Sequence, residues 1–279
     1  MNQLLSPAAA VGAAGTFGVA DFIGGVAGRK SSPPSVAIGV ETVGFVALPL
    51  VLWLLPFRAD AFAAALAFAG GALGGLGLIA FYRAMAMNLI GVVAPVTAVV
   101  AAALPVGAGL IFGGERLHAG QVAGIAAGLI AIALINGGGE VTHTARAAVG
   151  LAVLAGIGFG MFFILYHRAS GAGATAFVSG RLGSALAAVG FALVSRVPLV
   201  PRREVWPLLG IGGTLDGLGV VLYMFATFNG LLSLSALLTS FYPAFTVLCA
   251  RVFLHERMAL IQAGGAVLAL VAVVLIAAA

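Results

Sequence analysis

A chain of 279 residues that is 62% hydrophobic and only 8% charged, with a mean hydropathy of +1.21, has too little polar surface to cover a water-soluble globule, which assigns it to a membrane. Its thirteen basic residues give a net charge of +5, yet they stand singly between apolar runs, which excludes a nucleic-acid-binding surface. The single cysteine, Cys249, lies in an apolar run; it excludes an intramolecular disulfide and reads as a small core thiol.

The first residues, Met1 to Ser6, carry no basic stretch, and the apolar run after them outlasts the core of a signal peptide, so no cleavable leader is expected. A hydrocarbon layer about 30 Å thick needs about 20 apolar residues of helix. Broken at its charges and turn residues, the chain offers ten such segments: 7–27, 34–55, 61–87, 90–112, 118–136, 147–167, 174–195, 205–228, 231–253 and 259–278. The breaks are rich in turn formers: Arg29 to Pro34, Pro56 to Arg58, Asn88, Gly113 to Arg116, Gly137 to Glu140, and Pro198 through Pro207 with Arg202, Arg203 and Glu204. Trp53 and Trp206 fall near segment ends, as residues of an interfacial belt do. The fold class expected is all-α and integral to the membrane, with ten transmembrane helices.

The stretch from Gly70 to Ile135 recurs 141 residues later. Tyr82 falls on Tyr223, Asn88 on Asn229, Glu115 on Glu256, Arg116 on Arg257, Gln121 on Gln262 and Gly124 on Gly265. These residue types are scarce here, and their coincidence in register marks a tandem duplication. The glycine-rich stretch near 137–146 divides the chain into halves, 1–139 and 140–279, of five helices each. Five is odd, so the second half enters the membrane from the opposite side; two such inverted repeats pack about a pseudo-two-fold axis, with a substrate site near the midplane. Four-spaced glycines (Gly71 and Gly75; Gly120, Gly124 and Gly128; Gly156 and Gly160) read as helix-packing faces. Pro95 and Pro105 in the fourth segment and Pro243 in the ninth each remove a backbone donor within a span, as a kink or a hinge. Pro95, Ala98, Ala102 and Pro105 share a face, as do Ala236, Thr239, Pro243 and Thr246, and both faces are expected to look inward.

Charged groups inside a span are costly and mark sites or pairs. Five qualify: Asp21, Glu41, Arg83, Arg181 and Asp216. Counted at about 1.5 Å per residue, the first three fall toward one membrane side, and Arg181 and Asp216 lie nearer the midplane. Glu41 and Arg83 therefore read as a structural ion pair. Asp216 shares a face with Gly212, Gly219 and Tyr223, and Asp21 shares one with Phe17. An acid beside an aromatic could receive an ammonium group or a proton; Asp216 has the alternative of neutralising Arg181. Glu115-Arg116 and Glu256-Arg257, at the ends of segments four and nine, read as staples to a neighbouring helix.

An enzyme is not expected. His118, His143 and His255 fall in loops and His167 at a helix end, none at metal-ligand spacing. Neither a nucleophile elbow nor a P-loop occurs. The only lysine, Lys30, is placed in a loop, which leaves no lysine within a helix for a retinal Schiff base. No metal or cofactor is expected.

Ten segments in two halves, Tyr82 and Tyr223 near the end of the third helix of each, Glu115-Arg116-Leu117 and Glu256-Arg257-Met258 closing the fourth, and Tyr242-Pro243 thirteen residues ahead of Glu256 together carry a likeness. The chain resembles, over essentially its whole length, EamA-type members of the drug/metabolite transporter superfamily. It departs from the pattern in helix four, where Ala102 stands at the position of Pro243. The resemblance implies a monomeric bacterial inner-membrane exporter of small metabolites, with lipid and a small-molecule substrate as its partners and a central cavity lined mainly by helices 1, 3, 4, 6, 8 and 9. The lining expected is Phe17, Asp21, Tyr82, Pro95, Ala98, Phe159, Asp216, Tyr223, Thr239, Tyr242 and Pro243. Within the superfamily the likeness leans toward the YddG-like exporters of amino acids, aromatic ones included; a multidrug or other metabolite exporter is the alternative, and a non-transporting membrane component the competing class. Loops after odd-numbered segments hold Arg29, Lys30, Arg146, Arg196, Arg202, Arg203 and Arg257, against Arg58, Arg116 and Arg168 after even ones. That count places the termini outside, whereas the resemblance places them in the cytoplasm, which is the orientation expected.

Overall fold

The structure is a computed structural model and describes residues 5–113, 119–137, 143–229, 238–239, 241–255 and 260–278. The described chain is helical: α1 Leu5–Lys30, α2 Pro33–Leu54 with a 3-10 turn at Phe45–Ala47, α3 Ala61–Met85, α4 Ile90–Gly113, α5 Ala119–Gly137, α6 His143–Ala169, α7 Ala174–Val194, α8 Trp206–Asn229, α9 Tyr242–Phe253 and α10 Leu260–Ala278. Spans α1, α2, α3, α6, α7 and α8 are long and apolar enough to cross a membrane, and α4, α5, α9 and α10 contain shorter apolar stretches among the described residues. The ten-helix layout follows the segments read from the sequence, and large apolar side chains such as Trp53, Val194 and Leu260 point outward, where lipid would cover them.

The helix ends have local causes. The side chain of Asp60 caps α3, accepting from the backbone N–H of Ala63 at 3.0 Å. Pro33 and Pro34 open α2, where a missing N–H has no intrahelical partner to lose. Asn88, Arg196 and His255 adopt positive φ just beyond α3, α7 and α9. At Arg196 this lets two N–H groups fold back on the helix: Arg196 donates to the Leu193 carbonyl at 3.1 Å and Val197 to the Ala192 carbonyl at 3.0 Å.

Each helix packs chiefly on helices distant in sequence. Helix α3 lies on α6 and α7, α8 lies on α1 and α2, α4 packs on α6, α1 on α9, and α5 on α10. With no hydrophobic drive between helices in lipid, such pairs depend on close approach, and glycine provides it. A Cβ on Gly71 of α3 would stand 1.9 Å from the Gly180 carbonyl oxygen of α7, and one on Gly217 of α8 would stand 2.4 Å from the Gly44 carbonyl oxygen of α2. Gly156 of α6 meets Thr97 and Val100 of α4, Gly160 meets Ala101 and Leu104, and Gly128 of α5 meets Val99.

Two sets of loop contacts join the first five helices to the second five, at opposite ends of the bundle. At one end the α2–α3 loop meets the α6–α7 loop: Phe57 and Gly173 form an antiparallel bridge, Ala174 N–H donates to the Pro56 carbonyl at 3.1 Å, and the Thr175 hydroxyl donates to the Arg58 carbonyl at 2.7 Å. Gly173 has φ +55°, and a Cβ there would collide with the Pro56 oxygen, so the turn requires glycine. At the other end the Ser35 hydroxyl donates to the Pro198 carbonyl, and Arg202 N–H donates to the Ser31 hydroxyl at 3.2 Å.

The ninth segment differs from its expected form. Leu238 and Thr239 are helical, Phe241 is a turn residue, and α9 begins at Tyr242 with Pro243 in its first turn. Pro243 thus starts a helix instead of kinking one, because its missing N–H falls where none is needed. The inward faces of the fourth and ninth segments are closed by packing. Ala98 is buried with Ala14 and Tyr242, Thr239 donates to the Ala10 carbonyl at 3.4 Å, and Thr246 donates to the Gly18 carbonyl at 3.0 Å. The Glu115-Arg116 and Glu256-Arg257 pairs and the side chains of Ala102, Pro105 and Ala236 lie outside the described residues.

Candidate functional site

A cavity of about 690 Å³ of empty space, part of it open to the outside, lies among seven helices. Phe17 and Asp21 reach it from α1, Glu41 from α2, Gly71, Gly74 and Leu78 from α3, Arg181 and Ser184 from α7, Asp216 and Val220 from α8, and Tyr242 from α9. The apolar wall is an aromatic stripe on α6. Phe159, Phe162, Phe163 and Tyr166 recur at three- and four-residue spacing and so share one face. Phe162 stacks on Tyr166 at 4.5 Å between ring centroids, and Phe163 lies 5.5 Å from Tyr223.

The polar wall is centred on Arg181, whose side chain is buried. Its Nη1 donates to Glu41 Oε2 at 2.7 Å and to Asp216 Oδ2 at 2.6 Å, and its guanidinium lies 5.5 Å from the ring centroid of Phe177, one turn earlier on α7. A buried guanidinium is tolerable only with such partners. Gly44 makes room for it, since a Cβ there would stand 2.8 Å from the guanidinium carbon. Nε and Nη2 of Arg181 are buried without hydrogen-bond partners. Asp21 is 7% exposed and makes no hydrogen bond or ion pair among the described residues. The cavity therefore presents three carboxylates to one guanidinium, and two of the three are already held.

Of the eleven residues expected in the lining, five are there: Phe17, Asp21, Phe159, Asp216 and Tyr242. Tyr82 is fully buried in the core between α1 and α3, its ring against Gly24. Tyr223 stands behind Phe163. Pro95, Ala98, Thr239 and Pro243 are buried in packing seams. The ion pair expected between Glu41 and Arg83 is not formed: Glu41 pairs with Arg181, and Arg83 is exposed near the end of α3. Asp216 pairs with Arg181 and also lines the cavity, which unites the two readings open to it. Helices α2 and α7 contribute lining and α4 does not, against the expected set. The α6 stripe was visible in the spacing of Phe159, Phe162, Phe163 and Tyr166, whereas Ser184 and the glycines carried no signal in so small-residue-rich a chain.

Residues 146–278 match the model of the EamA-like transporter family. No curated protein matches the chain. A solved structure described as "Crystal structure of protein" shares 14% identity with it at a TM-score of 0.65, over 98% of this chain and 96% of its own; at that identity the likeness establishes the fold alone. The family match spans α6 through α10: this second half of the chain is an EamA-like transporter domain, of the drug/metabolite transporter superfamily of multi-pass membrane proteins.

Proposed function

We propose that the protein is a secondary transporter built of two inverted five-helix repeats, 1–139 and 140–279, which expose one central cavity to each side of the membrane in turn. The observation that carries this reading is the cavity itself, walled by α1, α2 and α3 from one half and by α6, α7, α8 and α9 from the other. The packing supports the duplication. Helix α3 lies on α6 and α7 as α8 lies on α1 and α2, and α4 lies on α6 as α9 lies on α1. Exchanging first-half helices for their second-half counterparts maps each pairing onto the other.

The solutes proposed are amino acids, aromatic ones included, and related small metabolites, exported across a bacterial inner membrane by a monomer with cytoplasmic termini. The aromatic stripe on α6 supplies a surface for an apolar body, and the acids supply a place for a charged head. Purified protein in liposomes should move phenylalanine with saturable kinetics and show counterflow driven by trapped solute. Absence of both would defeat the amino-acid reading, and saturable flux of an apolar drug in its place would establish the multidrug alternative.

A further inference from the structure

Resting on the transporter reading, this inference concerns which part of a solute the cavity recognises. Its carboxylates are of two kinds. Glu41 and Asp216 share Nη1 of Arg181. Asp21 has no hydrogen-bond or ion-pair partner among the described residues, although it is 7% exposed and lines the same space. A second unsatisfied group lines the same space: the Tyr242 hydroxyl is buried without a hydrogen-bond partner. The two are brought together by the α1–α9 seam, where Thr246 donates to the Gly18 carbonyl at 3.0 Å and Gly18 packs on the Tyr242 backbone. An unpaired carboxylate is an acceptor, and an unpaired phenol can accept as well as donate, so the two together leave hydrogen-bonding capacity in this cavity that no group of the protein fills.

We propose that Asp21 binds the primary ammonium group of the solute, with the Tyr242 oxygen accepting a second N–H, so that the cavity selects protonated amines on an apolar or aromatic body. An ammonium has three donors and no acceptor; Asp21 and Tyr242 take two, and the ring of Phe17, one turn before Asp21 on the same wall, offers a π face to the charge. We assign no carboxylate contact to Arg181. Its Nη1 is engaged twice, and its other nitrogens are buried, the guanidinium lying against Gly44 and near Phe177. The carboxylate of an amino acid is thus carried but not recognised, and three acids to one guanidinium weigh against anions.

The discriminating experiment is phenylalanine counterflow in proteoliposomes, competed by unlabelled phenethylamine, which lacks the carboxylate, or by 3-phenylpropionate, which lacks the amine. Phenethylamine should compete and 3-phenylpropionate should not. Asp21→Asn should raise the half-saturating phenylalanine concentration about tenfold or more, the scale of one lost charge-assisted hydrogen bond. Asp21→Glu should restore part of this, and Tyr242→Phe should produce a smaller rise. Thermal unfolding of Asp21→Asn should match that of the native protein, because no partner is orphaned. Equal competition by 3-phenylpropionate, or an unchanged half-saturation in Asp21→Asn, overturns the proposal. Should the native protein show no phenylalanine counterflow, the amino-acid reading fails separately. Calorimetric binding of phenethylamine to detergent-purified protein then decides: binding that Asp21→Asn abolishes sustains the ammonium site, and no binding, or binding equal in the variant, overturns it.

Discussion

Two helix junctions in this protein solve the same packing problem by opposite means. Where α2, α7 and α8 meet, a guanidinium sits between two carboxylates. Where α2, α3 and α7 meet, Gly71 lies on the Gly180 backbone and Gly75 on that of Ser184. On the 141-residue register these are counterparts, for Asp216 corresponds to Gly75 and Arg181 to Val40. One junction thus has charge where the other has only backbone. The glycine junction is held by van der Waals contact and tolerates no added atom. The charged junction leaves space, and its stability depends on each member keeping its partners. Both border the cavity, the glycine junction through Gly71, Gly180 and Ser184 and the charged one through Glu41, Arg181 and Asp216, but only the second brings charge to it.

The sharpest way to break this contrast is to remove Arg181. Arg181→Met leaves Glu41 and Asp216 facing each other in a buried site, and loss of one member of a buried network typically costs about 3–5 kcal/mol. Detergent-solubilised Arg181→Met should melt well below the native protein. Neutralising all three positions, Glu41→Gln with Arg181→Met and Asp216→Asn, should recover most of that loss. Additive damage across the three substitutions would mean that the groups are not a network.

The glycine junction should respond to bulk and be indifferent to charge. Gly71→Val places atoms where the Gly180 carbonyl already stands, so α3 and α7 must separate, at about 1–3 kcal/mol for overpacking. Its melting temperature should fall by the same amount in low and high salt. A variant that melts like the native protein would show that the α3–α7 contact has slack, and the contrast between the junctions would weaken.

The helices were legible because their ends are chemical. Pro33-Pro34, Pro56 to Arg58 and Asn88 mark boundaries that the structure keeps within a few residues. The partner of Glu41 was not legible. Depth along a helix can be counted, and on that count Arg83 and Glu41 were level. Which helices adjoin is set by non-local packing, and α2 meets α7 and α8 through Gly44 and Gly217, two of 41 glycines with no mark to distinguish them. Reading Pro243 as a kink failed for a related reason: a missing N–H suits a bend within a helix or the first turn of a new one alike, and no charge or glycine marks the turn at Phe241 that decides between them.

The smallest expected effects test whether the two loop staples are counterparts. On the same register, the contact of the α2–α3 loop with the α6–α7 loop corresponds to that of the α7–α8 loop with the α1–α2 loop, and both are made at once. Neither therefore excludes the other, and under the proposed alternating access the edge formed by α2 and α7 would stay fastened at both ends. Thr175→Val removes an exposed hydroxyl bond, and water can replace it at the Arg58 carbonyl, so about 0.5 kcal/mol or less is expected. Ser35→Ala removes a donor that is itself fully buried, for about 1 kcal/mol. The staples share no partner, so the double variant should lose the sum of the two in thermal unfolding. Its phenylalanine counterflow should match that of the native protein. If the staples instead acted as gates, cutting either would shift the equilibrium between outward- and inward-open forms, and the flux of each single variant would change more than its stability.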